Sequence, residues 1–306
     1  MTLLDPVKSD SFLGAFWASR HGNMEGTKLF KGFKVEYDDT DKLYQVGIDM
    51  RGAAERYGAI YNPSDSIWSS YSDKAKRSVE ALLSVGSSQM HPMILAAIER
   101  FEKKEMERLL WLLEVIAVRF QVIDRGRPGR IESLGSRAAK DIYDKQISTA
   151  TQVRAALDEL YVPDSTFKEG FVSHSETDGK KTRYLLSVLE RQSILREGKH
   201  LHNELRPDII TLEHIFPKSP GNEWANEIAR EPSLHEYLYR LGNTCLLPEV
   251  NRALGNKSFR EKSATYGSSR LNTTRSLGTT TEWNRSAIET RQKHLSELAV
   301  AAWRFQ

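Results

Sequence analysis

An acid and an imidazole stand side by side in TLEHIFPKS, residues 211–219, at the end of an apolar run that Pro217 stops. Glu213 and His214 thereby fall at the mouth of an expected strand, where side chains can reach solvent and substrate. Two later stretches add to them. LGNTCLLP, 241–248, carries Asn243, and NRALGNKSFREK, 251–262, carries Asn251, Asn256, Arg252, Lys257 and Arg260. Hydrolysing a phosphodiester needs a base to deprotonate water, a cation to neutralise charge growing on phosphorus and the leaving oxygen, and groups that hold both in line. An unperturbed imidazole titrates near pH ~6.5, so His214 is the natural general base. Glu213 offers a hard oxygen to Mg²⁺, for which Mn²⁺ can substitute, and Asn251 or Asn256 can add an amide carbonyl; such an ion needs few protein ligands because it keeps waters. Asn243, next to Gly242, can tie down the preceding backbone and hold His214 in place. Arg252, Lys257 and Arg260 would meet phosphates.

The elements that must position these groups are short. The spacing predicts one strand over 209–215, a second over GNTCLLP and a helix from Ser258 to about Tyr266, which together make a ββα metal finger. Adjacent residues of a regular strand face opposite sides. Glu213 and His214 can therefore share one phosphate only where the strand twists or ends, and Pro217 supplies an ending. Each residue also has an ordinary use: Glu-His pairs are common, and asparagines favour turns and caps. The ordered set, not any member, carries the reading.

Charge supports it. The chain of 306 residues carries a net +3, too mild to mark a nucleic-acid binder alone. Between residues 240 and 293, however, ten Lys/Arg stand against four Glu, so basic charge gathers in the segment holding the site, as phosphate neutralisation requires. A solvated helix face would look similar. The single cysteine, Cys245, allows neither an internal disulfide nor a cysteine-based zinc site. No window has the roughly 18 apolar residues of a membrane span, and MTLLDPVKSD lacks the flank of a secretory signal, so a cytoplasmic protein is expected. No GxxxxGK[ST] or GxGxxG loop is present, which leaves nucleotide binding unsupported.

The first two hundred residues read as consecutive helices. Periodicity predicts them over SFLGAFWASRHG, 27–37, 43–61, 73–85, and from Pro92 to about 122 with a break near Lys103; LLWLLEVIAVRF is apolar on nearly every side and reads as the buried central helix. DRGRPGR, 124–130, is a loop whose arginines suit either a phosphate backbone or solvent. The loop leads to RIESLGSRAAKDIYDKQ, another amphipathic helix follows over TQVRAALDELYVP, residues 164–180 read as a loop or hairpin tip, and a further helix covers TRYLLSVLERQSILRE. Around KHLHNELRPD, 199–208, helical periodicity gives way, which sets a boundary near residue 197: a helical domain over 1–197 and a site-bearing domain over 198–306. His200 and His202 are expected to be a surface pair. Residues 222–230 read as a helical insertion and 267–281 as a loop. Thr279 with Glu282 fits a capping box before a last amphipathic helix that would pack over the short elements.

EHIFPKS, LGNTCLLP, N-x-x-x-x-NKSFREK and the closing W-x-x-x-x-I-x-x-R resemble the HNH nuclease domain at the C-terminus of GmrSD-type, modification-dependent restriction enzymes, including SspE-like proteins that respond to phosphorothioate DNA. The resemblance covers about residues 205–306. It implies a mainly α protein, an N-terminal helical bundle followed by a ββα-metal (His-Me finger, HNH) unit packed with further helices, and a Mg²⁺-dependent nickase acting on double-stranded DNA in an anti-phage restriction system. It implies His214 as general base, Asn243 as the central asparagine that braces the site, and Asn251 or Asn256 at the metal; Glu213 stands where many such enzymes have Asp. FLGAFWASRHG and KLFKGFK look like the segment that joins the family's N-terminal domain to its helical middle. No DGQQR-like motif marks the family's ParB-like regulatory domain, which would then be a separate subunit or part of a longer chain. A homodimer would allow both DNA strands to be cut. The alternative is a catalytically inactive helical module that binds DNA or a partner, and cleavage of RNA is a third option.

Overall fold

The computed structural model describes residues 6–24, 26–198, 205, 210–247 and 254–305. Packing divides the chain into two units, one ending at Val162 and the other running from Pro163 to Arg304.

Among the described residues, eight α-helices build the first unit: α1 Pro6–His21, α2 Gly26–Glu36, α3 Thr40–Ile60, α4 Asp73–Val85, α5 His91–Arg100, α6 Lys103–Ile116, α7 Pro128–Tyr143 and α8 Ala150–Ala156. Local chemistry sets their ends. Asp39 accepts from the Lys42 N–H to cap α3, Ser72 caps α4 through the Ala75 N–H, and Gly86 takes the left-handed conformation that stops α4. As its composition predicts, α6 is the buried helix: Leu109, Leu110, Leu112, Leu113, Val115 and Ile116 have no exposure. It runs on into a π-helical turn, Ala117–Ile123, where the buried Arg119 guanidinium donates to the Val162 carbonyl at 2.8 Å. Glu99 receives Arg20 and Arg56, each at 2.8 Å.

The second unit is mainly helical around a two-stranded sheet. It contains α9 Asp164–Ser173, α10 Gly179–Arg196, β1 Thr211–His214, α11 Ala225–Arg230, β2 Thr244–Leu247, α12 Phe259–Gly267, α13 Asn272–Arg275 and α14 Arg285–Ala302. The strands pair antiparallel, Glu213 opposite Cys245 and His214 opposite Thr244. Four-residue strands bury little by themselves. Their cover comes from Ile215, Phe216, Trp224, Tyr266, Trp283 and Ile288, which form one core with Cys245 and Leu247.

Local structure differs from expectation in places. Residues 164–173 are a helix, not a loop, because Phe167 and Phe171 lie one turn apart and are fully buried, with Phe167 edge-on to Trp303. The packing boundary falls at 162/163, whereas the change in periodicity lies near residue 197; α9 and α10 pack with α14 in the second unit. The last helix starts at Arg285 with Asn284 as its cap, accepting from the Ala287 N–H at 3.0 Å, so Thr279 and Glu282 are not its capping box. The stretch 267–281 also holds structure. Glu190 of α10, fully buried, accepts from the Asn272 and Thr273 N–H groups and the Thr273 hydroxyl, capping α13 from outside.

Candidate active site at the exit of the first strand

β1 ends where three consecutive residues, 214–216, are held by side chains from elsewhere in the fold. Asn243 does half of this. It is fully buried on the 3₁₀ turn Leu241–Asn243 that leads into β2. Its Oδ1 accepts from the Phe216 N–H at 2.9 Å and the Trp283 indole N–H at 3.0 Å, while its Nδ2 donates to the carbonyls of Phe216 at 3.1 Å and Leu238 at 3.0 Å. Both partners of Oδ1 can only donate and both partners of Nδ2 can only accept, so the orientation of the amide is fixed. Its backbone carbonyl also takes the Ile215 N–H at 2.9 Å.

The turn carrying Asn243 is held in its own right. Arg291 of α14 donates through Nη1 to the carbonyls of Leu241, Gly242 and Thr244 at 2.7–3.1 Å. Gln292, fully buried, accepts from the Gly242 N–H at 3.0 Å and donates to the Phe171 and His174 carbonyls at 2.8 Å each. Gly242 lets α14 come this close: a Cβ there would lie 2.3 Å from the Ile288 carbonyl oxygen.

Glu213 and His214 face opposite sides, as strand geometry requires. Glu213 turns to α12, where its Oε1 accepts from Lys262 Nζ at 2.7 Å and the Tyr266 hydroxyl at 3.4 Å. His214, half-buried, lies on the other face with its ring edge-on to Tyr239 at 6.0 Å; the ammonium of exposed Lys218 stands 5.6 Å from the Tyr239 ring. Burial, with the positive charges of Lys218 and Lys262 nearby, pushes the His214 imidazole down to about 4, so at neutral pH it is uncharged and able to accept a proton. Cys245, opposite Glu213, is no nucleophile: burial pushes its thiol up to about 12.

The remaining predicted residues are placed differently. Asn256 and Lys257 are exposed on the loop before α12, with their backbone carbonyls pinned by the buried Trp224 indole at 3.2 and 3.1 Å. Arg260 is exposed in the first turn of α12, which Ser258 and Glu261 cap reciprocally. None of the hydrogen bonds and ion pairs described for Glu213 or His214 involves Asn256, Lys257 or Arg260. Asn251, Arg252, His200 and His202 lie outside the described residues. In the first unit, Arg130 pairs with Glu159.

Among the described residues no group of three or more His, Cys, Asp or Glu comes together, and the Glu213 carboxylate, the acid nearest the imidazole in sequence, is engaged by Lys262 and Tyr266. Sequence reasoning missed three residues. Lys218 was inside the quoted EHIFPKS motif, and Lys262 inside NKSFREK, but charge alone does not tell an exposed lysine from a buried one. Tyr239 gave no signal.

Residues 161–298 match the C-terminal domain of the GmrSD restriction endonucleases. That segment coincides closely with the second unit, and its matched stretch contains β1, β2, α12 and most of α14. The second unit is therefore similar to the C-terminal domain of restriction endonucleases. No curated protein matches the chain significantly. Among the described residues no helix is long and apolar enough to cross a membrane.

Proposed function

We propose that the GmrSD-type unit is a metal-dependent HNH endonuclease that nicks double-stranded DNA, as part of a bacterial defence against phage. The observation that carries this reading is the bracing of β1's exit by Asn243, which fixes the backbone that presents His214. His214 is the general base: uncharged at neutral pH and half-open to solvent, it takes the proton of an attacking water, a role worth about 100- to 10,000-fold. Glu213, with Asn256 or Asn251, would hold Mg²⁺ or Mn²⁺, which when bound neutralises charge on the scissile phosphate and leaving oxygen. Lys218 beside the imidazole, and Lys257 and Arg260 on the following loop and helix, meet backbone phosphates. Arg252 belongs to the same basic segment. One such site cuts one strand, so cutting both takes a homodimer or two events. A ParB-like domain or subunit would supply modification sensing.

Supercoiled plasmid incubated with the protein and Mg²⁺ or Mn²⁺ tests the reading. Open-circle product that EDTA and His214→Ala both abolish is expected; nicking by His214→Ala would refute the assigned base. A salt-sensitive gel shift without any cleavage would favour the inactive DNA-binding alternative. Parallel reactions on modified and plain plasmid report which DNA is preferred.

A further inference from the structure

We infer that Lys262 is a positioning residue of the nuclease site, a second brace on β1's exit that acts with Asn243. The inference rests on the proposed nuclease reading. Lys262 has no exposure at all, which is rare for a lysine. Removing an ammonium from water costs several kcal/mol unless each of its protons finds an acceptor. Lys262 has three protons and three acceptors: Glu213 Oε1 at 2.7 Å, the His214 carbonyl at 3.1 Å and the Ile215 carbonyl at 3.1 Å.

Those acceptors belong to three successive residues. In a regular strand consecutive carbonyls point in opposite directions, so one ammonium cannot reach two in a row. That Lys262 reaches both shows that the pleat breaks between His214 and Ile215. The break follows both site residues: Glu213 and His214 stay in strand register on opposite faces, and the chain leaves the sheet directly after the imidazole. Asn243 then holds the next residue, Phe216, by its N–H and its carbonyl. Two fully buried side chains thus fix five polar groups along 213–216, and His214 has no freedom to swing with its backbone. The Tyr266 hydroxyl lies 3.4 Å from the same Glu213 oxygen, which orients the carboxylate further.

A helix that only packed against the strand would present an apolar residue here. Methionine would fill the volume of Lys262 and avoid the cost of a buried charge, a replacement that is often neutral or stabilising when a whole buried ion pair is exchanged. The charged group is explained by what it does to the strand's exit.

The test compares full-length wild type, Lys262→Met and Lys218→Ala on supercoiled plasmid under single-turnover conditions, well below each protein's unfolding temperature. Lys262→Met is expected to slow strand cleavage by about 100-fold with DNA affinity changed less than about threefold, the signature of a misplaced reacting group. Lys218→Ala, which removes an exposed cation, is expected to weaken DNA binding and reduce its salt dependence. Folded Lys262→Met that cleaves within threefold of wild type overturns the inference, whatever its melting temperature. Should Lys262→Met fail to fold, NMR on the ¹⁵N-labelled wild type decides: a slowly exchanging Lys262 ammonium with through-bond couplings to the His214 and Ile215 carbonyl carbons is expected, and a fast-exchanging, solvent-like ammonium overturns the inference. Absence of cleavage by wild type itself would instead strike the nuclease reading.

Discussion

The two units of this chain solve the same problem by opposite means. In the first, helices satisfy most of their own backbone groups, and most of the interior is apolar, as at Leu109, Leu112, Leu113 and Ile116, with few side-chain bonds to the main chain such as that of Arg119. In the second, β1, β2, the turn before β2 and α12 are only three to nine residues long, so many peptide groups have no ladder to join. Buried polar side chains take their place: Asn243, Lys262, Gln292 and Glu190 are all under 2 % exposed, and every one bonds to main-chain atoms. Apolar packing is tolerant of small changes in shape. A hydrogen-bonded brace is directional, and so it can set the position of a reacting group at the cost of being easily broken.

The contrast breaks first, if it is wrong, at Asn243. Replacing it with alanine strands the Phe216 N–H and carbonyl, the Leu238 carbonyl and the Trp283 indole. Losing four bonds to buried partners should destabilise the protein by about 4 kcal/mol. Displacing the strand's exit should cut nicking by at least about 100-fold even where the variant is folded. Urea unfolding and single-turnover cleavage measure the two effects separately.

Leu113→Ala is the matching test in the first unit. A fully buried leucine truncated in a close-packed core costs about 3 kcal/mol. Because no directional contact to the site is lost, the cleavage rate of folded protein should stay within about twofold of wild type. A large fall in rate without a change in DNA affinity would show that the helical core sets the site's geometry, and the division of labour would fail.

Gly242→Ala sharpens the comparison inside the second unit. The added methyl would meet the Ile288 carbonyl oxygen at 2.3 Å and force α14 or the turn to shift, for about 2 kcal/mol. Since Asn243 follows directly and Gln292 holds the Gly242 N–H, the shift should reach the brace, and activity should fall by more than the stability loss explains.

How much of this was legible in the sequence differs between the units for the same reason. Helical period and caps placed α3, α4 and the break between α5 and α6 to within a few residues, because local contacts decide them. Phe167 and Phe171 were missed because a single i, i+4 pair is a faint signal amid polar neighbours. In the second unit the motif order pointed to Glu213, His214 and Asn243, which the fold places at the exit of β1, and the strand ends before Pro217. Arg291 closed the quoted W-x-x-x-x-I-x-x-R motif, but its partners, like those of Lys262 and Gln292, were not legible: they lie about 47–121 positions away, and a lysine or glutamine bonded to a distant carbonyl looks in sequence like a surface residue.

The smallest expected effect is a pH dependence native to the helical unit. His91, 4 % exposed at the start of α5, has its ring edge-on to Tyr57 and Tyr61, with Nδ1 3.4 Å from the Tyr57 hydroxyl. Burial pushes its imidazole down to about 4. A histidine whose folded pKa lies below its unfolded value is neutral in the fold and protonated when unfolded, so the unfolded chain binds the extra proton between about pH 6.5 and 4. Its contribution is fully present above the unfolded pKa and is lost as pH falls through that window. By pH ~5 the loss should amount to about 1–2 kcal/mol. Urea midpoints followed from pH 7.5 to 5 should decline in wild type and decline less in His91→Asn. If the variant keeps the full slope, the acid sensitivity belongs to other groups, and the aliphatic unit is not where this fold titrates.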